Sequence, residues 1–563
     1  MHLVNDNALN TPWTTSPRPV PRLAGALATV VCALALGLLW PSPAQADSAT
    51  AGGDVQVAQT LGDRDLTFVL RRVTGLPGPL HVDVVTHRGT PAGTLRLGTV
   101  PTGVSEDRAA GAAAGTVTSR ATVALGRAPG SYGATLRIDR AGPWELVVQD
   151  GSRTARIPFV APGQVTSPPE RLVFGGFVAA GVLMLVTLLV AVRARSGRWV
   201  LLPAGGVLAA VATAVTAAVL SASLPAPPEP GRDVDATQDN VTDPYAVVRP
   251  VAQDRSRQPA SLALRPYTAR PGRPGTLRLS VLDGSTGLPA DDLIVHDGAL
   301  MHLLVIGPTG QLWHLHPVRT APGSYEVQLR LPAAGHYAVS AEVARRGGGV
   351  QQLRSATGLT VSGDTPEHAA QPPRAQGPGT RTLDGVPVRF STSSSRAGTA
   401  TTLTARVGTT PVLQPWLGMI GHLIVVGPLG RADATDTTHL GRTAQDAAVW
   451  AHAHSMGGEM GAPAHDMAAG HGMAMEHGTA SMPDDGATDS AQDAQDGSPM
   501  SGLMPLNGDS PADETVAAYG PDVSFVYTFP AAGYYRLWIQ VERDSAVITL
   551  PYVLHVPSAG EPR

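Results

Sequence analysis

Residues 321–343 read APGSYEVQLRLPAAGHYAVSAEV, and related forms of this stretch occur at two other places in the chain. Residues 128–148 read APGSYGATLRIDRAGPWELVV, and residues 520–541 read GPDVSFVYTFPAAGYYRLWIQV. Each copy places two short runs of alternating apolar and polar residues on either side of a turn containing Gly or Pro, as antiparallel strands do. The repeat therefore predicts a mainly β protein built from three related β-sandwich domains.

Length and charge narrow the class of protein. The chain has 563 residues, enough for several domains, and a net charge of −4. It contains no lysine, so all 41 basic residues are arginine. This balance gives no reason to expect nucleic acid or an anionic surface as a partner.

The N-terminus has the pattern of an export signal. A positively charged segment, an apolar run at residues 23–40 and a small-residue cleavage motif ending at Ala46 predict a signal peptide over residues 1–46. Cys32, the only cysteine, lies inside that segment. The mature chain is therefore expected to contain neither a thiol nor a disulfide.

Two further apolar runs predict a transmembrane hairpin. Residues 172–192 and 200–224 contain no charged side chain over 21 and 25 residues. At about 1.5 Å per helical residue, each can cross a hydrocarbon core roughly 30 Å thick. The connector RARSGRW has three arginines and no acid, which predicts a cytoplasmic loop. We expect a protein of the cell membrane with its large domains on the extracytoplasmic side.

These observations divide the chain into successive segments. The predicted order is the signal peptide at 1–46, a first sandwich at 47–165, the two-helix hairpin at 170–224, a linker at 225–257, a second sandwich at 258–363, a linker at 364–381, and a third sandwich at 382–557 that carries a disordered insert at about 443–515.

The stretch QLWHLHP at residues 311–317 is the first candidate for metal chemistry. Residues i and i+2 of a strand point to one side, so His314 and His316 can approach one ion. His302, on the preceding strand, would supply a third imidazole. If Ile306 pairs with Gln311, His302 lies on the wrong face, whereas a one-residue bulge places it across from His316 or His314. The sequence leaves these registers open.

The third copy repeats the pattern. His422 aligns with His302, and WAHAH at residues 450–454 aligns with WHLH at residues 313–316, so His452 and His454 form a second pair. Alternating histidines also occur on the solvent face of ordinary strands, and this is the competing interpretation. Recurrence behind a tryptophan in two copies favours metal binding.

The insert of the third copy is rich in soft donors. Eight of the twelve methionines lie between Met456 and Met504, among Gly, Ala, Asp and Ser rather than among apolar partners. Thioethers suit Cu(I) and imidazoles suit Cu(I) and Cu(II), so we expect copper as the ligand. The predicted donors of the insert are Met456, Met460, His465, Met467, His471, Met473, Met475 and His477.

The repeats resemble a known type of domain. Their PGSY and Gly-aromatic endings resemble the YtkA-like domain, a small extracytoplasmic immunoglobulin-like sandwich, and the periplasmic copper-resistance sandwiches of actinobacteria and other bacteria. GHLIVVGP at 421–428, HAH at 452–454 and FPAAGYYRLWIQ at 529–540 are similar to exported bacterial domains of this kind. The resemblance extends over residues 258–557. It implies three immunoglobulin-like sandwiches, with metal residues at His302, His314, His316, His422, His452 and His454.

The resulting hypothesis is a membrane-anchored, extracytoplasmic copper-binding protein that scavenges, delivers or tolerates copper. A copper-transporting or copper-accepting membrane protein is the expected partner. We expect no enzymatic activity, because a blue-copper site needs a cysteine thiolate and no hydrolase motif is present. The alternative is a structural, adhesive or sensory surface protein whose sandwiches act as spacers and bind no metal.

Overall fold

The computed structural model describes residues 54–71, 73, 75–102, 115–161, 168–222, 258–346, 348–369, 371–393, 395–455 and 513–560. These residues form antiparallel β-sheets, with two long apolar helices between the first and the later β domains. The predicted fold class, mainly β with a helical hairpin after the first domain, is confirmed. The predicted signal peptide, the linker at 225–257 and residues 456–512 of the insert lie outside the described residues.

The first sandwich is built from two four-stranded sheets, in the orders β1-β2-β3-β6 and β5-β4-β7-β8. Its strands are β1 (Val55–Leu61), β2 (Arg64–Leu70), β3 (Gly78–Thr86), β4 (Gly93–Pro101), β5 (Ser119–Leu125), β6 (Gly130–Ile138), β7 (Gly142–Asp150) and β8 (Arg153–Ala161). Alternate residues of both sheets face one core, in which Phe68 and Trp144 are almost completely buried.

The two helices between the sandwiches are α1 (Pro168–Arg193) and α2 (Arg198–Ala222). Both are long and apolar enough to cross a membrane, and most of their leucines and valines are exposed. An exposed apolar helix of this length is typical of a lipid-facing span rather than of the interior of a soluble domain.

The second sandwich contains ten strands within the described residues. They are β9 (Ala260–Leu264), β10 (Pro274–Asp283), β11 (Leu293–Ile294), β12 (His302–Ile306), β13 (Leu312–Leu315), β14 (Val318–Ala321), β15 (Ser324–Arg330), β16 (Gly335–Arg345), β17 (Gly349–Arg354) and β18 (Leu359–Val361). One sheet has the order β14-β15-β10-β9, and the other has the order β11-β16-β12-β13, with β17 and β18 also paired to β16.

The third sandwich repeats this arrangement. Its elements are β19 (Gly379–Leu383), β20 (Val386–Thr392), β21 (Ala400–Val407), β22 (Leu413–Gln414), β23 (Gly421–Leu429), α3 (Arg431–Thr435), α4 (Leu440–Asp446), β24 (Val449–Ser455), β25 (Asp522–Thr528), β26 (Gly533–Arg543) and β27 (Ala546–Val556). The sheets run β19-β20-β21-β25 and β22-β26-β23-β24, with β27 paired to β26.

Two predicted boundaries differ from the structure. Residues 443–455, which we had assigned to the insert, form the end of α4 and the whole of β24, and Ala444 and Trp450 are buried there. Residues 379–381, which we had assigned to a linker, begin β19. In both cases the strand or helix packs on the third sandwich, a tertiary contact that local composition does not encode.

The second and third sandwiches pack sheet against sheet. In β12, Leu303 and Val305 face the core of their own sandwich, whereas Leu304 and Ile306 face the other sandwich. In β23 the same alternation places Ile424 in the shared layer. Because both faces of these strands are buried, a side chain at the next position along the shared stripe is also removed from water.

The first sandwich also packs against the second sandwich. Val318 of β14 packs into the core of the first sandwich. Arg319 donates to Glu145 of β7 at 2.6 Å and binds both carboxylate oxygens of Asp291 at 2.9 and 2.8 Å. The first and second sandwiches therefore share a buried contact.

Candidate metal centre

The apolar stripes of the shared interface end in histidines. On β12 the stripe continues from Ile306 and Leu304 to His302, and on β23 it continues from Ile424 to His422. The neighbouring strands end in the same way. The six histidines that meet here, which we call the six-histidine centre, are His302, His314, His316, His422, His452 and His454.

The centre joins two motifs that the sequence suggested as separate sites. His314 of the second sandwich lies 4.8 Å from His452 of the third, measured between ring centroids. His302 lies 5.1 Å from His452 across the same boundary. The competing interpretation of a solvent-facing strand is wrong for the pair in the second sandwich, because His314 is 8% and His316 is 4% exposed. His452 and His454 are partly buried.

The strand register settles the alternatives left open for His302. Ile306 pairs with Leu312, and Leu303 pairs with Leu315, so the next position places His302 opposite His316. The turn has one residue more than the tight pairing would allow, and Gly307 N donates to Gln311 O at 2.9 Å across it. In the third sandwich His422 pairs directly with His454. In each sandwich the backbone of the upstream histidine is therefore directly opposite that of the second histidine of the pair.

Backbone hydrogen bonds determine which nitrogen of each upstream histidine carries the proton. His302 Nε2 lies 3.0 Å from His296 O, and His422 Nε2 lies 3.1 Å from Trp416 O. A carbonyl oxygen can only accept, so Nε2 is the donor in both rings. The Nδ1 atoms of His302 and His422 therefore carry lone pairs directed into the centre.

Two polar side chains orient the first histidine of each pair from the opposite sandwich. His314 Nδ1 lies 2.9 Å from Gln540 Oε1, and Gln540 Nε2 donates to Thr549 Oγ1 at 2.9 Å. His452 Nδ1 lies 3.3 Å from Glu342 Oε1. With Gln540 Oε1 and the ionised carboxylate of Glu342 as acceptors, Nδ1 is the donor and Nε2 of each ring is left with a lone pair.

In each sandwich, the lone pair on Nδ1 of the upstream histidine therefore faces the lone pair on Nε2 of the first histidine of the pair. His302 Nδ1 lies 3.1 Å from His314 Nε2, and His422 Nδ1 lies 3.2 Å from His452 Nε2. If a cation bound both nitrogens of a pair at about 2.0–2.1 Å, the nitrogen–metal–nitrogen angle would be about 100°, close to the tetrahedral value. The geometry of both pairs therefore suits a metal ion between the rings.

The remaining histidines carry buried nitrogens without partners. Nε2 of His316 and Nε2 of His454 are both buried and make no hydrogen bond within the described residues. An unsatisfied buried polar atom costs about 1–3 kcal/mol. Each of these nitrogens belongs to the second histidine of its pair. Each sandwich therefore has one buried nitrogen that could bind a metal ion in place of a hydrogen-bond partner.

Burial keeps these imidazoles neutral. Burial lowers the pKa of His302 to about 4, and the charges of neighbouring histidines act in the same direction. Burial and the adjacent imidazoles also lower the pKa of His314, His316, His422 and His452 well below the ordinary value. Neutral imidazole is the form that binds metals, so the centre does not have to lose protons near pH 7.

One wall of the centre is aromatic. The Trp416 ring lies 4.7 Å from His422 and 5.1 Å from His314, centroid to centroid. Trp416 packs with Ala58 of the first sandwich. Two hydrogen bonds join Thr60 of the first sandwich to the backbone of His316. Thr60 N donates to His316 O at 2.7 Å, and His316 N donates to Thr60 Oγ1 at 3.0 Å. This wall excludes water and holds the backbone of His316.

The opposite wall is polar and partly exposed. His296, Asp297 and Glu342 form a further group whose possible ligand atoms lie within 4.8 Å of one another. Asp297 contacts His296 Nε2 at 2.9 Å and His454 Nδ1 at 3.2 Å. The third sandwich has Trp416 and Leu417 where the second has His296 and Asp297. The two halves of the centre therefore have different surroundings.

Sequence reasoning found the six histidines but missed the residues that orient them. Glu342 and Gln540 occupy the same position in the repeats SAEV and WIQV, where each polar side chain directly precedes a valine of the core. The occurrence of a polar residue at this equivalent position in both repeats was the signal in the sequence that could have identified the two residues. The eight predicted donors of the insert, Met456, Met460, His465, Met467, His471, Met473, Met475 and His477, lie outside the described residues.

The first copy has no counterpart of the centre among its described residues. His81 is exposed and lies 3.0 Å from Thr135 Oγ1. His87 is buried against Glu542 of the third sandwich, with Nδ1 at 2.9 Å from Oε1. Both histidines of the first sandwich are therefore bound to side chains outside the six-histidine centre.

Comparison with known families gives one match. A domain of unknown function, DUF8832, matches residues 509–558, a small part of the chain. No curated protein matches the chain.

Solved structures give distant similarities. The tetra-tandem repeat in the extending region of a large adhesion protein is 9% identical, with 89% of this chain and 74% of that chain covered and a TM-score of 0.14. A protein described as membrane anchored, from Corynebacterium diphtheriae, is 8% identical, with 91% and 99% covered and a TM-score of 0.13. Trypsin-activated alpha-2-macroglobulin from Escherichia coli is 10% identical, with 90% and 25% covered and a TM-score of 0.15. Scores of this size do not indicate a shared arrangement of the whole chain, so function must be argued from its own residues.

Proposed function

We propose that this chain is a membrane-anchored, extracytoplasmic copper-binding protein whose structured metal site is the six-histidine centre. The observation that carries the proposal is the pair of facing lone pairs, at 3.1 Å between His302 Nδ1 and His314 Nε2 and at 3.2 Å between His422 Nδ1 and His452 Nε2. Two nitrogens at this distance are stable together only when a proton or a metal cation lies between them, and the outward hydrogen bonds of the four rings leave this place to a metal.

Imidazole donors by themselves suit copper, zinc, nickel and iron. Copper is proposed because the sequence follows His454 with a segment rich in methionine, a soft thioether ligand that suits Cu(I). The mature chain has no cysteine, so a thiolate does not compete for the metal. The proposed role is binding and exchange of the ion with a membrane protein that accepts or exports copper.

Membrane anchoring is supported by α1 and α2, two helices long and apolar enough to span a bilayer. The orientation is proposed from the three arginines of the connector, Arg193, Arg195 and Arg198, which favour the cytoplasmic side. The three sandwiches would then lie outside the cytoplasm.

The proposal is tested on the full chain in detergent, loaded with Cu(I) under reducing conditions against a competing chelator. Because the insert is also expected to bind copper, the starting protein has the histidines and methionines of residues 456–512 replaced by serine at unchanged length, with His452 and His454 retained. We expect tight copper binding in this protein, and a loss of about a hundredfold or more in affinity when His302 and His422 are both changed to Asn. The variant His81→Gln, altered at an exposed histidine of the first sandwich, serves as the matched control.

Copper affinity that is equal in the double variant and the control would remove the centre from the proposal. Absence of copper binding in the starting protein would favour the alternative of a structural surface protein, in which the histidines only fill a polar part of the interface. Zinc is titrated in parallel, and a tighter zinc complex would replace copper as the proposed ligand.

A further inference from the structure

The two halves of the six-histidine centre are equivalent, position by position. We call His302, His314 and His316 the second-sandwich triad, and His422, His452 and His454 the third-sandwich triad. The upstream histidine donates to a backbone carbonyl at 3.0 Å in one triad and 3.1 Å in the other. Its Nδ1 faces the first histidine of the pair at 3.1 and 3.2 Å. The same contacts are made twice.

Each triad contains its own three donors. The second-sandwich triad offers Nδ1 of His302, Nε2 of His314 and the unpartnered Nε2 of His316, and donor atoms of these three residues lie within 4.8 Å of one another. The third-sandwich triad offers Nδ1 of His422 and Nε2 of His452, 3.2 Å apart, and the buried Nε2 of His454, which has no hydrogen-bond partner among the described residues. Of the two triads, only the second-sandwich triad has its three ligand atoms within 4.8 Å of one another, so the third-sandwich triad is the more open of the two. Three imidazoles and an open fourth position are a complete set for one ion.

A single ion cannot use all of these donors. The rings of His302 and His454, which belong to different triads, are 6.5 Å apart between centroids. Within the third-sandwich triad, the rings of His452 and His454 are only 4.3 Å apart. One ion placed between His302 and His314 would leave the facing lone pairs of His422 and His452 unsatisfied. On these grounds we infer that the centre is dinuclear, with one copper ion held by each triad.

The inference rests on the proposed function and extends it to the number and arrangement of the ions. His314 also belongs to a group with His422 and His452 whose donor atoms lie within 4.8 Å of one another. That mixed group is the competing arrangement, in which one ion bridges the two sandwiches. The closeness of His314 to His452, at 4.8 Å between ring centroids, places the two ions of a dinuclear centre near each other.

The two positions differ in the charge around them. The third-sandwich triad is supported by carboxylates, since His452 contacts Glu342 and His454 contacts Asp297. The second-sandwich triad is supported by the neutral amide of Gln540 on His314. Two cations in a buried site need nearby negative charge, and Glu342 and Asp297 provide it on one side.

The test measures copper content and spin count on the full chain in detergent, again with the histidines and methionines of residues 456–512 replaced by serine. We expect two Cu(II) ions per chain and an electron paramagnetic resonance signal that accounts for fewer spins than copper atoms, because neighbouring ions couple magnetically. The variants His316→Asn and His454→Asn each remove the otherwise unpartnered donor of one triad. Each is expected to bind one copper with an ordinary uncoupled signal of one spin.

The outcomes separate the inference from the proposed function. One copper per chain, lost in both single variants or in His314→Asn alone, would overturn the dinuclear centre and leave a bridging ion in its place. No copper in the starting protein would overturn the proposed function itself. The spin count of the unsubstituted centre requires no histidine variant, so a folding failure in His316→Asn or His454→Asn does not prevent a decision. His81→Gln is expected to retain two coupled ions.

Discussion

Gln540 of the third sandwich accepts a hydrogen bond from His314 of the second sandwich at 2.9 Å. The equivalent contact runs in the opposite direction, from His452 of the third sandwich to Glu342 of the second at 3.3 Å. Each sandwich therefore orients a proposed metal ligand of the other. Groups that orient a ligating imidazole also set its basicity, so these contacts give the first two predictions.

Replacing Gln540 by Leu is expected to weaken copper binding by about tenfold to a hundredfold, because His314 loses the acceptor that holds its tautomer. Gln540→Glu restores an acceptor of similar size, as in the other half of the centre, and is expected to recover most of the affinity. Chelator competition measures both variants. If Gln540→Leu binds copper as tightly as the unsubstituted chain, the orienting role of this residue is wrong.

Replacing Glu342 by Gln keeps an acceptor near His452 but removes a carboxylate. Burial raises the pKa of Glu342 to about 7, so the titrations are made above that pH, where this carboxylate is ionised. Affinity for Cu(II) is expected to fall more than affinity for Cu(I), because the ion of higher charge gains more from a nearby carboxylate. Parallel titrations under oxidising and reducing conditions provide the comparison. Equal losses for the two oxidation states would show that Glu342 acts through its hydrogen bond alone.

Trp416 should report occupancy of the centre. Its ring lies within 4.7–5.8 Å of the His422, His314 and His316 rings, measured between centroids. Bound Cu(II) is therefore expected to quench Trp416 fluorescence, and Trp416→Phe should lose part of the quenching amplitude. Trp144→Phe, altered in the core of the first sandwich, is the control and should quench like the unsubstituted chain. Identical quenching in Trp416→Phe and in the control would place the copper elsewhere.

His87 is expected to make stability depend on alkaline pH. Burial alone would lower the pKa of His87, but the hydrogen bond and charge of Glu542, with the charge of Glu514, raise it to about 9. Because this value lies above the ordinary 6.5, the folded state binds the proton more tightly than the unfolded state. The contribution is complete below about pH 6.5 and is lost as the pH rises through about 9, and it amounts to on the order of 3 kcal/mol.

The measurement for His87 is the melting temperature of the full chain in detergent at about pH 6.5 and about pH 9. The unsubstituted chain should lose more thermal stability over this range than His87→Gln, in which the titrating group is absent. The same loss in both proteins would contradict the role given to the contact between His87 and Glu542.

Much of the fold followed from local sequence patterns. The repeat around residues 128–148, 321–343 and 520–541 predicted β-structure in three places, because alternation with a period of two is a property of the strand itself. The two uncharged runs predicted α1 and α2, because the length and polarity of a membrane span are local quantities. The boundary at about residue 443 was wrong, since β24 depends on pairing with β23 rather than on its own composition.

The candidate ligands were also visible in the sequence, but their arrangement was not. His302, His314 and His316 could be proposed as one set, and His422, His452 and His454 as another, because strand periodicity places i and i+2 on one side. Periodicity could not decide whether that side faced water or protein. It gives the direction in which each side chain points, but histidine occurs both on exposed faces and on buried ones.

The sequence by itself determined the β repeats, the apolar hairpin and the identity of the histidines, because each depends on residues close together along the chain. Only the tertiary structure decided that the two triads meet, that Glu342 and Gln540 support each other's sandwich, and that Trp416 and Thr60 close the centre. These contacts join residues more than a hundred positions apart across packed sheets, and the register and packing angle that create them arise from burial of the whole interface rather than from any one strand.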